Sequence, residues 1–149
     1  MGHFLFPELI EEFGKYLKYY WVGGVYLSEG KMIEAGGWNI LTKWRPILIY
    51  YKPPLRKVSF VDFLLSEKKE KEYHEWQFTL PEAEYFVEKF SFPGDLVLDP
   101  FVGTGTFAIA CMRKKRKFLG FEVNEENYNI ILERIKKEKE RWNEDEYLQ

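Results

Sequence analysis

The chain has 149 residues, of which 46% are hydrophobic and 19% aromatic, so it is long enough to bury one core. Its net charge of −2 does not indicate a strongly basic nucleic-acid-binding surface, and its single cysteine excludes an internal disulfide. No apolar run reaches the roughly 18 residues of a membrane span. No signal peptide is evident, so we expect a cytoplasmic protein without a membrane partner.

The first third of the chain predicts one helix followed by two strands. Pro7 suits the first turn of a helix that we expect to run to about Tyr19. Strands are predicted over residues 20–27 and 47–51. Residues 28–44 contain three glycines and are predicted as a loop or an irregular hairpin.

A charged segment, residues 66–72, separates this part from a second predicted helix. Thr79 and Glu82 form the pattern of a capping box at the start of that helix. The helix should bury one apolar face, which consists of Ala83, Phe86, Val87 and Phe90.

Residues 95–122 are the most informative part of the chain. A short apolar run ends at Asp99, and a turn with Gly103 and Gly105 follows it. After a helix-like stretch, a second apolar run ends at Glu122. The pattern predicts a strand, a glycine turn, a helix and a strand. It is typical of half a nucleotide-type α/β site with an acid after each strand.

Glycine suits such a turn because it tolerates backbone angles that other residues resist. Without side chains, Gly103 and Gly105 would also let a ligand approach the backbone. The helix that begins near Gly105 should direct N–H groups and its positive dipole end at a carboxylate or a phosphate. Glu122 would lie where an acid can accept hydrogen bonds from a ribose diol.

Two cofactors fit this frame. Residues 103–108 satisfy the pattern G-x-G-x-x-[GA], which permits a dinucleotide and an oxidoreductase function. Asp99 argues against the dinucleotide, because its carboxylate would face an anionic pyrophosphate. S-adenosyl-L-methionine (SAM) presents an ammonium that Asp99 can pair with, while the helix start takes the carboxylate. The residues therefore favour SAM, with the dinucleotide and a glycine turn without a ligand as the alternatives.

The C-terminal third predicts one more helix. Asn124 can cap it, and its buried stripe should consist of Tyr128, Ile131, Leu132 and Ile135. The basic run at residues 113–117 is predicted to be the exposed end of the preceding helix, with contact to phosphates as the alternative. Cys111, on the apolar side of that helix, should be buried.

Residues 93–106, P-G-D-x-V-L-D-P-F-x-G-T-G-T, resemble the SAM-binding motif of the DNA amino-methyltransferases. These enzymes methylate the exocyclic amino group of adenine or cytosine. Residues 73–77 look like the family segment that packs beside SAM ahead of the glycine loop. This order is similar to that of the β-class, phage-type modification methylases, in which the catalytic half comes first.

The resemblance implies an α/β fold, a partial Rossmann-like SAM-methyltransferase sheet with flanking helices. It implies a single domain over residues 1–149. Within it, residues 1–55 would be the tail of the catalytic half, residues 56–72 a link, and residues 73–149 the SAM-binding half.

The resemblance also implies the site residues. Asp99 would hold the methionine ammonium of SAM and Glu122 its ribose, while Phe101 and Val123 would flank the adenosine. The complete predicted set is His74, Gln77, Asp99, Pro100, Phe101, Gly103, Gly105, Thr106, Glu122 and Val123. No metal site is predicted, because the two histidines are isolated from other ligand types.

The family's catalytic tetrapeptide, D/N/S-P-P-Y/W/F, does not occur in this sequence. Pro53 and Pro54 are adjacent, but no acid or amide precedes them and no aromatic residue follows. By family order the tetrapeptide would precede Met1, so the chain looks like the C-terminal part of a methyltransferase. We therefore expect no catalytic residue here and negligible methylation by this chain alone.

The expected partners are DNA and either a second polypeptide that carries the catalytic half or another copy of this chain. A non-catalytic SAM- or DNA-binding module, or a methyltransferase relic, would carry the same residues. An RNA or protein methyltransferase is a further alternative, because its SAM pocket could look similar.

Overall fold

The computed structural model describes residues 6–35, 37–66 and 78–147. The chain divides into two compact units, with the boundary between Ser66 and Glu67. That boundary lies inside the segment predicted as a link, and the roles predicted for the segments on either side stay predictions.

The N-terminal unit consists of one helix and a three-stranded sheet. Its elements are α1 (Phe6–Gly14), β1 (Lys18–Ala35), β2 (Trp38–Tyr51) and β3 (Phe63–Leu65). The strand order is β2-β1-β3, with β1 antiparallel to β2 and parallel to β3.

Two predictions for this unit were wrong at their boundaries. The helix ends at Gly14 and not near Tyr19, because the aromatic and β-branched residues that follow favour a strand. The segment between the predicted strands is mostly strand, so the irregular hairpin is confirmed and the loop is not. Its irregularity is a register shift between Tyr26 and Lys31, where Gly30 has a φ of +69°.

The C-terminal unit confirms the predicted strand, glycine turn, helix and strand. Its elements are α2 (Leu80–Phe90), β4 (Leu96–Asp99), α3 (Thr106–Arg113), β5 (Lys117–Gly120) and α4 (Glu125–Tyr147). Strands β4 and β5 are parallel, and Asp99 lies opposite Gly120. The second strand therefore ends two residues before Glu122, which lies in the loop that follows.

Both predicted helix caps are present. The Glu82 N–H donates to Thr79 Oγ1 at 3.4 Å, and the Thr79 N–H donates to Glu82 Oε2 at 3.1 Å. At α4, the Asn127 N–H donates to Asn124 Oδ1 at 3.0 Å. These bonds satisfy N–H groups that have no partner within their own helix, so short sequence patterns suffice to start both helices.

The core of this unit lies between α2 and α3. It consists of the buried side chains of Ala83, Val87, Ala110 and Cys111, with Val97 and Phe118 packed against it. Cys111 is fully buried, as predicted, and this burial raises the pKa of its thiol to about 11, so the thiol stays protonated. Phe90 was predicted in this core but is 38% exposed.

The predicted buried stripe of α4 is confirmed only in part. Ile131 is buried and Ile135 is half-buried, but Tyr128 and Leu132 are 50% and 49% exposed. The inner face instead continues with Arg134 and Glu138, which are held by hydrogen bonds to residues of the glycine loop and α3. Specific polar partners thus replace half of the apolar stripe.

Cations of the basic run bind groups of the same unit. Arg113 contacts Glu138 through two hydrogen bonds of 2.6 and 2.9 Å, and Glu84 through one of 3.2 Å. Lys114 donates to Glu88 at 2.8 Å. These bonds join α3 to α2 and α4, which favours the helix-end interpretation over phosphate binding.

The Glu138→Gln variant should lower the free energy of unfolding by about 2 kcal/mol at neutral pH, because Glu138 is buried and bound bidentately by Arg113. The hydrogen bond from Arg113 lowers the pKa of the Glu138 carboxyl. A lowered folded-state pKa contributes stability above the unfolded pKa of about 4.3, and this stability is lost as pH falls through the folded pKa.

Urea unfolding of both proteins across pH 3 to 7 measures this difference, which should shrink below about pH 4. Glu88→Gln is the matched control, because its pair with Lys114 is exposed and should contribute little. A difference that stays constant with pH would contradict the assignment to the Glu138 charge.

Candidate functional site

The carboxyl ends of β4 and β5 lie at one edge of the two-stranded sheet, as parallel pairing requires. The Phe121 N–H donates to the carbonyl oxygen of Asp99 at 3.1 Å, and the Val102 N–H donates to that of Phe121 at 3.1 Å. The loop after β4 is therefore fastened to the residues that follow β5, and the two predicted acids lie on adjoining segments.

The glycine loop makes its turn in the left-handed region of backbone space. Gly103 has a φ of +58° and Gly105 a φ of +84°, which side-chain-bearing residues rarely adopt. The Gly105 N–H donates to the Val102 carbonyl at 3.1 Å, and its own carbonyl accepts from Ile109 at 3.1 Å. Gly105 is thus the N-cap of α3.

The two glycines serve different purposes. A Cβ at Gly103 would meet no atom of the described residues within 4 Å, so among them this side of the loop is open to an approaching ligand. A Cβ at Gly105 would lie 3.1 Å from Ile131 of α4. The missing side chain of Gly105 therefore lets α4 pack closely, and its predicted contact with a ligand stays a prediction.

Glu122 bridges two loops with its carboxylate. Oε2 accepts the Gly103 N–H and Oε1 accepts the Asn124 N–H, both at 2.8 Å. A carboxylate has about four acceptor positions, so each oxygen keeps capacity for a further donor such as a hydroxyl. The structure thus brings Gly103 and Glu122 into direct contact.

Asp99 uses one carboxylate oxygen to order the loop. Its Oδ1 accepts the Phe101 N–H at 2.9 Å. Among the residues that the structure describes, Oδ2 has no hydrogen-bond partner. It remains a full acceptor for a cation or for another donor.

Exposed apolar side chains follow both acids. Phe101 is 85% exposed and Val123 is 97% exposed. A flat apolar ligand could cover both of them, which fits the role predicted for these residues. Pro100, between Asp99 and Phe101, is also exposed.

The remaining predicted residues are placed differently. The Thr106 side chain is buried, and its Oγ1 accepts from Arg134 Nη1 at 3.4 Å, so only its backbone N–H can face a ligand. His74 and Gln77 lie outside the described residues, and their roles stay predictions.

Sequence reasoning missed two residues of this site. A Cβ at Gly120 would lie 2.3 Å from Val102 Cγ2, so this glycine lets the loop pack on β5. A glycine inside a short apolar strand is the signal that could have identified it. Arg134 binds the glycine loop from α4, and its position in a charged helix offers no such signal.

Neither a metal-ligand cluster nor a membrane-spanning helix occurs among the described residues. They contain no cluster of three or more histidine, cysteine, aspartate or glutamate side chains that could hold a metal ion. Across the same parts of the chain, no helix is both long and apolar enough to span a membrane.

The family model of the DNA methylases matches residues 10–133 of the chain. The Type II methyltransferase M.HindIII of Haemophilus influenzae is 31% identical over 108 residues, which cover 71% of this chain and 33% of that protein. M.Cfr9I of Citrobacter freundii, also a Type II methyltransferase, is 44% identical over 46 residues, 31% of this chain and 15% of its own. The chain thus spans about a third or less of these relatives.

Two solved structures that contain SAM have a fold similar to that of this chain. The M1.HpyAVI–SAM complex has a TM-score of 0.74 at 17% identity and covers 90% of this chain and 71% of its own. A Thermus thermophilus protein, assigned as a DNA modification methylase and complexed with SAM, has a TM-score of 0.63 at 28% identity, with 82% and 54% covered. The predicted α/β methyltransferase fold is confirmed.

Proposed function

We infer that this chain, which belongs to the DNA methylase family, is the SAM-binding part of an enzyme that methylates the exocyclic amino group of adenine or cytosine in DNA. The observations that carry this inference are the bond from the Gly103 N–H to Glu122 and the Oδ2 of Asp99, which has no hydrogen-bond partner among the described residues. Bound SAM would supply an activated methyl group on its sulfonium.

The residues at this edge of the sheet fit the charges of SAM. The open oxygen of Asp99 suits the methionine ammonium, because a charge-assisted hydrogen bond is stronger than a neutral one. The start of α3 suits the methionine carboxylate. The spare acceptor positions of Glu122 suit a ribose diol, and exposed Phe101 and Val123 suit the adenine ring.

A dinucleotide fits less well. Its pyrophosphate would approach the glycine loop and the negatively charged carboxylate of Asp99. Among the described residues, no cation binds Oδ2 of this carboxylate. The absence of compensation disfavours an anion of charge −2. The family match also points away from an oxidoreductase.

DNA methylation requires a loop that holds the target base, which is flipped out of the duplex. This sequence contains no D/N/S-P-P-Y/W/F tetrapeptide. We propose that a second polypeptide supplies this loop. Another copy of the chain lacks the tetrapeptide as well, so self-association would cover exposed apolar surface without supplying the loop.

The β4–β5 sheet supports the need for a partner. Val97 and Phe118 pack against the core of α2 and α3, but Leu96, Leu98 and Leu119 on the opposite face are 60%, 58% and 47% exposed. Parallel sheets are usually covered on both faces. A helix packed on this face would cover these leucines.

Calorimetry with the purified chain tests the cofactor. We expect SAM to bind with a Kd in the micromolar range, which corresponds to a binding free energy of about −8 kcal/mol. NAD should not compete. Binding of NAD in place of SAM would favour the oxidoreductase, and no binding by the folded chain would favour either a pocket that needs its missing half or a relic.

Incubation with labelled SAM and DNA tests the catalytic half. We expect negligible methyl transfer by the pure chain, because its sequence lacks the base-holding loop. Transfer of label by the chain alone would contradict the proposed second polypeptide. A compact monomer in sedimentation would contradict self-association.

A further inference from the structure

The side chain of Arg134 in α4 forms hydrogen bonds with the glycine loop. Its Nη1 donates to the carbonyl oxygen of Thr104 at 2.6 Å and lies 3.4 Å from Thr106 Oγ1. These two acceptors flank Gly105, whose φ is +84°. One guanidinium group therefore holds both sides of the left-handed residue at the start of α3.

The loop needs an external support. Gly103 and Gly105 border the peptides on either side of Thr104, and glycine has more accessible backbone states than any other residue. A bond from a charged donor is stronger than one between neutral groups, so Arg134 can restrict rotation of the Thr104–Gly105 peptide.

Helix α4 presents this guanidinium in a defined place. One turn before Arg134, Ile131 packs where a side chain of Gly105 would lie. One turn after it, Glu138 binds Arg113 of α3 through two hydrogen bonds. The helix is thus fixed to α3 on both sides of Arg134.

We propose that Arg134 is a positioning residue for the cofactor. It holds the Thr104 carbonyl against α4, so this carbonyl cannot turn toward the methionine carboxylate and repel it. The N–H groups at the start of α3 then stay directed at that carboxylate. This inference rests on the proposed SAM site, and it concerns the amino-acid end of SAM and not its adenosine.

Two ligands test the amino-acid end and the adenosine end of SAM independently. S-adenosylhomocysteine carries the amino acid, whereas 5′-methylthioadenosine keeps the adenosine and lacks it. In Arg134→Met, the first ligand should bind roughly tenfold more weakly, and the second should change less than about twofold. Arg134→Lys, which retains a cationic donor, should recover part of the loss.

Hydrogen exchange provides a readout without any ligand. The Gly103 and Gly105 amides are bonded to Glu122 and Val102 in the intact loop. In Arg134→Met they should exchange at least about fivefold faster, while the capping-box amide of Glu82 stays unchanged. Lys137→Met is the control, because Lys137 is an exposed cation on the same helix.

Each outcome decides one question. Exchange that matches the Lys137→Met control would overturn the positioning role. Equal weakening of both ligands with a lower Tm would also overturn it, since a merely structural role predicts this result. If the natural chain binds neither ligand, the proposed SAM site fails, and the exchange rates still decide whether Arg134 orders the loop.

Discussion

Glu122→Gln should weaken SAM binding by about 3 kcal/mol, which corresponds to roughly 150-fold in Kd. The carboxylate accepts one backbone N–H with each oxygen, and the proposed ribose contacts use the remaining positions. A glutamine has one oxygen, so its NH₂ group would face either the Gly103 or the Asn124 N–H. The variant therefore loses charge, a ribose acceptor and the bridge between the loops.

Calorimetry at one pH and salt concentration measures this loss of affinity. Thermal unfolding measures how much the two hydrogen bonds of Glu122 contribute to stability. The free energy of unfolding should fall by about 1 to 2 kcal/mol, because one backbone donor loses its partner. Glu126→Gln is the matched control, since Glu126 is exposed in the first turn of α4. Unchanged SAM affinity in Glu122→Gln would remove Glu122 from the site.

Asp99→Asn should weaken SAM binding by about 2 kcal/mol, or roughly 30-fold, with little change in stability. The asparagine oxygen can still accept the Phe101 N–H, so the loop keeps its shape. Only the charge that would pair with the methionine ammonium is lost. Calorimetry should show a similar loss for S-adenosylhomocysteine and almost none for 5′-methylthioadenosine.

Asp95→Asn is the control for this variant, because it removes the same charge at the opposite end of β4. Asp95 accepts the Phe92 N–H, and asparagine can do the same. If Asp95→Asn weakens SAM as much as Asp99→Asn does, the effect reflects net charge. The specific role of Asp99 would then be wrong.

Both predictions bear on the division between the cofactor and the catalytic loop. The described residues contain acids, glycines and exposed apolar side chains in the arrangement expected for SAM. The tetrapeptide that would hold the base is absent from the sequence. Loss of SAM binding in both variants would establish the cofactor site independently of any methylation assay.

The local elements of the C-terminal unit could be predicted from the sequence alone. Thr79 and Glu82, three residues apart, satisfy each other's neighbouring N–H groups, so the pattern suffices to start α2. The glycine turn follows in the same way from left-handed φ values at Gly103 and Gly105. Each of these depends on contacts between residues close in the chain.

The boundaries in the N-terminal unit were harder to predict, because strand length depends on pairing. Residues 28–35 carry glycine and polar residues that favour a loop by composition. Pairing with β2 draws them into a long hairpin with two register shifts. β-propensity depends on such cross-strand neighbours more than on the residue itself.

The family could thus be identified from the sequence by itself, and so could the positions of Asp99 and Glu122 near the ends of the two strands, because their spacing follows the local strand–turn–helix geometry. Only the tertiary structure decided which face of α4 turns inward and what Gly105 accommodates. Arg134 and Thr104 are 30 residues apart, and Arg113 and Glu138 are 25 apart. Hydrogen bonds over such separations form only when packed helices bring the partners together, and no short pattern encodes them.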